Sequence, residues 1–351
     1  MNDVAAMPSY RVERGDIERD RDAVLRIWRG NLGRDEHMRA KFDWFYRHCP
    51  YGAPLLALLR HEPDGGFVGV AAAGPRRMAY GARTMTAGVL VDLAVAAEHR
   101  SLGPALMLQR ELAAAGAQHF DLLYGFPNAK AVPLIRRLGL YEPVGDMVRY
   151  ARVLRYRHYV GRRLPRAVAP LAGLAIDATR RIAETWRAWT LDGIRVDWSG
   201  FDDVRIDALW ERAPRDGACV AVRDRRFLRW RFGHAAGTRL LRVSDRDGDT
   251  LQAWFACQTK DKVLHVGDAW SDAGSAGIGR GHIEALLHAA YGTGHAAISF
   301  EFSGPERGLS AWKDAGFVER GRRPVYGRWC AADAAPDLSR TLHLTSADED
   351  E

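Results

Sequence analysis

The chain reads as an α/β (α+β) protein of two similar domains, each a mixed, mostly antiparallel sheet flanked by helices, and three observations carry that reading. Gly88 to Val95 is a strand-like run, followed by a small-residue turn and a helix-like run from Leu106 to Ala115. Phe120 to Phe126 is a second strand-like run, followed by the break Pro127-Asn128 and a helix over 129–138 that Gly139 ends. The spacing then recurs, since Asp92 to Gly139 spans 47 residues and Asp268 to Gly316 spans 48.

Taken in order, Tyr10 to Glu13 predicts a strand, and Asp22 to Asn31 and Glu36 to Arg47 predict helices. Leu55 to Arg60, Gly66 to Gly74 and Gly88 to Val95 predict strands, the first two joined by a hairpin turn at Pro63-Asp-Gly-Gly66. After Gly103, the residues Ala105, Leu108, Leu112 and Ala115 recur at helical spacing, and Pro104 suits a first helical turn because its missing N–H costs nothing there. In the second half, Trp230-Arg-Phe232 echoes Trp44-Phe45-Tyr46, and His265-Val-Gly-Asp268 echoes Val89-Leu-Val-Asp92. Gly277-Ile-Gly279-Arg-Gly281 falls where the small-residue turn would repeat; it is either a second such turn or a flexible loop. The expected segments are a first domain over 1–150, a basic helical connector over 151–195, a second, degenerate domain over 196–332 and an acidic tail over 333–351.

At 351 residues, 47% of them hydrophobic, the chain can give each domain its own core. Cys49, Cys219, Cys257 and Cys330 lie far apart, too few for a disulfide framework, and neither they nor the twelve histidines show metal-ligand spacing. No metal and a reducing cytoplasm are the expectations. No apolar run reaches the ~18 residues that span a bilayer, and Met1 to Tyr10 lacks an apolar signal core. Arg149 to Arg187 holds ten arginines against Asp177 and Glu184, a local charge of +8 beside +7 for the whole chain. Interleaved Val153, Leu154, Tyr156, Tyr159, Val160 and Leu164 suit an anionic membrane face, here the inner one; the alternative is a solvated helix whose arginine stems lie along the domains. Nucleic acid is not expected as a partner. The closing Ser346-Ala-Asp348-Glu-Asp350-Glu351 is expected to be disordered; the alternative is that Leu342-His-Leu-Thr345 docks as a strand and Asp348 faces the substrate.

The turn Arg100-Ser101-Leu102-Gly103-Pro104-Ala105 has the makings of an anion site. It opens a helix whose first amides lack partners, its small residues let a phosphate approach the backbone, and Arg100 adds charge. Followed by Asn128, Ala131 and Gly139-Leu140, it resembles the GNAT acyltransferases, with their Arg/Gln-x-x-Gly-x-Gly/Ala pyrophosphate turn and later Asn-x-x-Ala stretch. The doubled arrangement is similar to tandem GNAT proteins and Fem-type transferases. The resemblance implies acetyl-CoA as cosubstrate, held by residues 100 to 105 with Asn128 and Ala131, and backbone amides at Leu93, Ala94 and Val95 around the thioester carbonyl as it becomes charged. It also implies a tyrosine acid where this chain has Ile135, and Trp312 in the second half; Tyr124 or Tyr141 either substitutes or packs. Ala276 and Pro305 replace Arg100 and Asn128 in the second half, which places the cosubstrate in the first.

Freeing a lysine-like amine of pKa ~10.4 costs about 4.6 kcal/mol at pH 7, so a base helps. Asp92, in the apolar run Val89 to Val95, should be desolvated and raised in pKa, either to act as that base or to serve a structural polar network. Asp268 is its counterpart and could do the same work. The expected activity is N-acyl transfer from acyl-CoA to an amine on a small molecule, an amino sugar or a cell-envelope precursor. The alternatives are a Fem-type transferase using aminoacyl-tRNA and a non-catalytic CoA-binding scaffold.

Overall fold

The computed structural model describes residues 9–156 and 193–350. The expected helical connector over 151–195 lies outside the described residues from 157 to 192, and its two ends prove to be strand, in Glu142–Val153 and Ile194–Ser199. The first strand, β1 (Tyr10–Arg14), leads to α1 (Arg21–Trp28) and α2 (Asp35–Lys41). Residues 42–47 continue as a π-helical turn where α-helix was expected. The wider turn lets the consecutive Trp44, Phe45 and Tyr46 all bury, which a 3.6-residue period does not favour.

Strands β2 (Leu55–His61), β3 (Phe67–Tyr80) and β4 (Arg83–Val95) then form an antiparallel meander. Both β3 and β4 are longer than their apolar runs suggested. Helix α3 (Leu102–Gly116) carries the chain to β5 (Leu122–Gly125), parallel to β4, and α4 (Val132–Leu138) ends at Gly139, whose φ of 67° suits glycine. Strand alternation feeds two cores: Leu55, Ala57, Leu59, Ala71 and Ala73 pack with Leu108 and Leu112 of α3, while Leu56, Leu58, Val70 and Ala72 face the opposite side.

After β6 (Glu142–Val153), the second half supplies β7 (Ile194–Ser199), α5 (Arg205–Arg212), β8 (Cys219–Ala221), α6 (Arg225–Phe232), β9 (Thr238–Asp245), β10 (Leu251–Lys260) and β11 (Val263–Ser271). Then follow α7 (Arg280–Gly292), β12 (Ala297–Ser303), α8 (Ser310–Asp314), β13 (Val318–Trp329), α9 (Leu338–Thr341) and β14 (Leu342–Thr345). The parallel pair β11/β12 flanks α7 as β4/β5 flanks α3.

The halves do not keep separate sheets. One sheet runs β1-β2-β3-β4-β5-β13-β6-β12-β11-β10-β9-β7, so the last long strand of each half sits beside the other half's parallel pair. Strands β13 and β6 pair with each other at the centre, a two-fold pattern in which β6 and β13 are exchanged between the halves, β6 lying beside β12 and β13 beside β5. Trp44 and Trp230, the echoed residues, repeat it: their rings stack at 5.2 Å, and each indole N–H donates to the other's carbonyl, at 2.7 and 3.1 Å. Off the main path, β14 pairs with β12 and β8, and β8 with β3, which closes a circuit β3-β4-β5-β13-β6-β12-β14-β8. Closure removes free edges from the circuit, while β1 and β7 remain the edge strands of the sheet.

The docked β14 corrects the expectation of a disordered tail. Leu342 and Leu344 are buried in the circuit's core, and their apolar pairing outweighs the solubility of the acids that follow. No helix of the described residues is long and apolar enough to cross a membrane.

Candidate active site

Strands β4 and β5 stay paired only from Ala87↔Leu122 to Leu90↔Gly125. Beyond that point they separate, and β4 bulges: Val70 faces Ala94 while Ala72 faces Val91. The bulge puts Asp92 at φ 55°, a left-handed conformation uncommon for a residue with a side chain and concentrated at functional sites. From Val91 to Val95 the side of β4 that faced β5 has no strand partner among the described residues.

The Asp92 side chain is 3% exposed and turns toward the α2 region. Lys41 Nζ lies 2.7 Å from Oδ1, and the Tyr46 hydroxyl donates to Oδ2 at 2.8 Å, an orientation supplied by the π turn. Lys41 also reaches Asp350 Oδ2 at 2.5 Å. Burial pushes the Asp92 carboxyl up to about 6, with Lys41 pulling against it. Burial pulls on Lys41 in the opposite sense, but its two carboxylates outweigh that and keep it cationic.

The mouth of α3 lies beyond the bulge. Ser101 occupies the N-cap in extended conformation without a side-chain cap bond, so the first-turn amides of Leu102 and Gly103 have no intrahelical acceptor. A Cβ added at Gly103 would meet nothing within 4 Å, so the approach to these amides is open. Pro104 and Ala105 complete the turn. Arg100 stands at its rim, bonded through Nε to the Val95 carbonyl at 3.2 Å and through Nη2 to Asn31 Oδ1 at 2.5 Å. Asn128 closes the turn that precedes α4: its Oδ1 accepts from the Lys130 and Ala131 amides at 3.0 Å each. Open amides, a rim guanidinium and an unpaired strand edge fit a cosubstrate carrying a diphosphate and an amide-bearing arm.

The second half repeats the positions with different contents. Strands β11 and β12 part after Val266↔Phe300, and Asp268 lies two residues past the last pair, as Asp92 does past Leu90. Here the gap is filled, because β14 pairs with β12 at Phe302↔Thr345 and Ser303↔Leu344, and Trp312 stacks on Phe300 at 3.9 Å. About 30 Å³ of cavity is left. A Cβ on Gly277 (φ 104°) would come within 2.7 Å of the Gly308 backbone, so this glycine serves close packing, whereas at Gly279 and Gly281 an added Cβ would meet only His282 at 3.5 Å and Ile194 at 3.7 Å.

Four expected candidates are enclosed: Asp268, Asp348, Tyr124 and Tyr141. Asp268 has no exposed side-chain surface; Arg223 Nε lies 3.2 Å away and Thr345 Oγ1 2.9 Å, and burial raises its carboxyl to about 6 against the pull of Arg223. Asp348 shares that guanidinium at 2.7 Å, so it faces the interior rather than a substrate. Tyr124 is buried on the inner side of the circuit, where its hydroxyl donates to the Asp348 carbonyl at 3.0 Å and burial holds it protonated. Tyr141 is likewise buried and held protonated by burial. Both tyrosines occupy core positions.

Sequence reasoning missed the tail's grip on this region. Arg231 donates to the Ala347 and Ser346 carbonyls, Arg76 to that of Glu349, and Arg323 pairs with the Glu349 carboxylate at 2.6 Å. Burial lifts Glu349 to about 7 despite Arg323, and burial lowers Arg231 to about 10. The acidic run alternating with so basic a chain was the one signal that could have suggested an internal partner.

Known structures share this architecture. An Enterococcus faecalis protein described as a probable N-acyltransferase superposes with TM-score 0.61 at 13% identity, over 92% of this chain and 72% of that one. GCN5-related N-acetyltransferases from Kribbella flavida (TM-score 0.60, 15% identity, 93% and 72%) and Anabaena variabilis (0.60, 10%, 92% and 73%) do likewise. No protein-family model and no curated protein matches the sequence. At these identities the likeness establishes the fold, which is that of the GCN5-related (GNAT) N-acetyltransferases.

Proposed function

We propose that the protein is an acyl-CoA-dependent N-acyltransferase built of two GNAT units, of which the first binds acetyl-CoA. The observation that carries this is the contrast between the two clefts: an open helix mouth beside an unpaired β4 edge and Asp92, and a second cleft filled by β14 and Trp312. Leu102 and Gly103 would hold the diphosphate through their amides, with Arg100 at the rim, and the 91–95 edge would hydrogen-bond the arm, with Leu93, Ala94 and Val95 nearest the acyl group. Acetyl-CoA supplies an acyl group activated as a thioester. Asp92, raised to about 6, is mostly ionised at pH 7 and suited to take a proton from an incoming ammonium, directly or through a water. A thiol has a pKa of only ~8.5, so the departing thiolate can do without a tyrosine acid.

The acceptor in this reading is an amine on a small molecule or glycan precursor. The setting is cytoplasmic, with the arginines between residues 157 and 187 resting on anionic lipid at the inner membrane face, since Arg152 is buried in β6 and Arg155 donates to the Tyr291 and His295 carbonyls; liposome pelleting at two salt concentrations tests that part. Calorimetry with acetyl-CoA tests the core of the proposal. Wild type should bind one equivalent, and Arg100→Glu should bind at least tenfold more weakly. Failure of wild type to bind would overturn it and leave the tRNA-dependent alternative. Binding without thiol release on an amine panel would identify a scaffold.

A further inference from the structure

Away from the cleft, the fold brings together three side chains that the sequence keeps apart. His61 ends β2, Asp64 lies in the hairpin turn to β3, and His99 closes the single turn at residues 97–99 that leads into Arg100. His61 Nδ1 lies 2.6 Å from Asp64 Oδ2, the two imidazoles are 4.6 Å apart between centroids, and one donor atom from each of the three residues lies within 4.8 Å of the others. We propose that His61, Asp64 and His99 bind a divalent transition-metal ion of the Zn²⁺ class.

The chemistry of the set favours this class. Two imidazoles and one carboxylate suit Zn²⁺, Co²⁺ or Ni²⁺, whereas Mg²⁺ and Ca²⁺ take oxygen donors. With metal–nitrogen bonds of ~2.0–2.1 Å, tetrahedral donors sit roughly 3.3 Å apart, so closing on an ion requires side-chain rotations of about an ångström and no backbone movement. Tyr10 supplies the outer support. Its hydroxyl lies 3.0 Å from His99 Nδ1, and its ring packs 5.3 Å from His61 and 5.8 Å, edge-on, from His99. An imidazole that donates Nδ1–H to such an oxygen presents a neutral Nε2 to the metal, the usual arrangement behind a ligating histidine.

Access fits as well. The His61 side chain is 12% exposed and that of Asp64 71%, so the rings are walled by protein while the carboxylate stands at the solvent rim, and water can complete the coordination. The simpler account is that His61 and Asp64 form only an ion pair across the hairpin. That account has no use for His99 or for the tyrosine behind it.

The test is titration of the tag-free, chelator-dialysed full chain with Zn²⁺ by calorimetry and with Co²⁺ by visible absorption. The expected result is one equivalent bound with a low-symmetry Co²⁺ spectrum, at least tenfold weaker binding in His61→Asn and in His99→Asn, and about 10- to 100-fold weaker binding in Tyr10→Phe. Tyr10 lies on the edge strand, His61 at the end of β2 and His99 in the turn at residues 97–99, so all three substitutions should leave the circular dichroism and melting temperature unchanged. Substoichiometric binding by wild type, or binding unaltered in both histidine variants, would overturn the proposal. Because acetyl-CoA plays no part in this titration, its outcome is independent of the acyltransferase reading.

Discussion

Replacing Arg223 by leucine should unlock the C-terminal segment. Arg223 is fully buried and serves two carboxylates that have no exposed surface, Asp268 at 3.2 Å and Asp348 at 2.7 Å. Leucine removes the cation and leaves both acids in the interior, a change that typically costs about 3–5 kcal/mol. At roughly 1.4 °C per kcal/mol for a chain of 351 residues, the melting temperature should fall on the order of 4–7 °C. The loss should also depend on pH. Burial already holds Asp268 at about 6 with Arg223 opposing it, so without the guanidinium its folded pKa rises further. A carboxyl whose pKa is higher folded than unfolded holds more protons in the folded state, so stability declines as pH rises between the two values. The variant should therefore be nearer to wild type at pH 5 than at pH 8. Differential scanning calorimetry at both pH values measures this. A loss below about 1 kcal/mol, or equal losses at both pH values, would refute the inference that this network holds β14 and the tail in place.

Asp92→Asn should reduce turnover by about 10²- to 10⁴-fold while leaving acetyl-CoA affinity within a few fold, as initial rates of thiol release and calorimetry would show. Wild-type kcat should rise with pH through about 6, the value to which burial raises Asp92, and level off above it; a profile flat from pH 5 to 8 would count against the base. Gly103→Asp places a carboxylate in open space at the helix mouth, so it should weaken acetyl-CoA binding at least tenfold with almost no change in melting temperature. Gly277→Ala, two residues before the position that matches Gly103, should do the reverse: with φ at 104° and the Gly308 backbone 2.7 Å away, it should lose more than about 1 kcal/mol of stability and keep acetyl-CoA affinity. Deleting residues 342–350 removes β14 from the circuit and exposes the apolar faces it covers; increased binding of a hydrophobic dye and a lowered, broadened melt are the expected outcome.

Much of the first half was readable because its signals are short-range. The run after Val95, the proline and glycine at the start of α3 and the glycine after α4 each act within one turn of the chain, so periodicity and end signals located these elements to within a few residues. The equal spacing that linked Asp92 to Asp268 likewise appears in space, each residue standing two places beyond the last parallel pair. What those two carboxylates face could not be read. Lys41 is 51 residues from Asp92, and Thr345 is 77 from Asp268. The same chemical letter is a half-open site in one copy and a sealed ion pair in the other because a distant strand fills one gap.

The exchange of β6 and β13 has the same origin. An apolar strand specifies that it will be buried, but any edge with free N–H and C=O groups can accept it, and the sequence near Glu142 or Val318 does not say which edge is nearer. The tail shows the reverse error, since a run of acids looks soluble when counted alone, yet buried Arg223, Arg76 and Arg231 offer it partners that exist only after folding. Local order and the helix mouth thus follow from neighbours along the chain. Which cleft stays open, and which charges meet, depends on pairings between residues far apart, where loop closure and packing govern the choice.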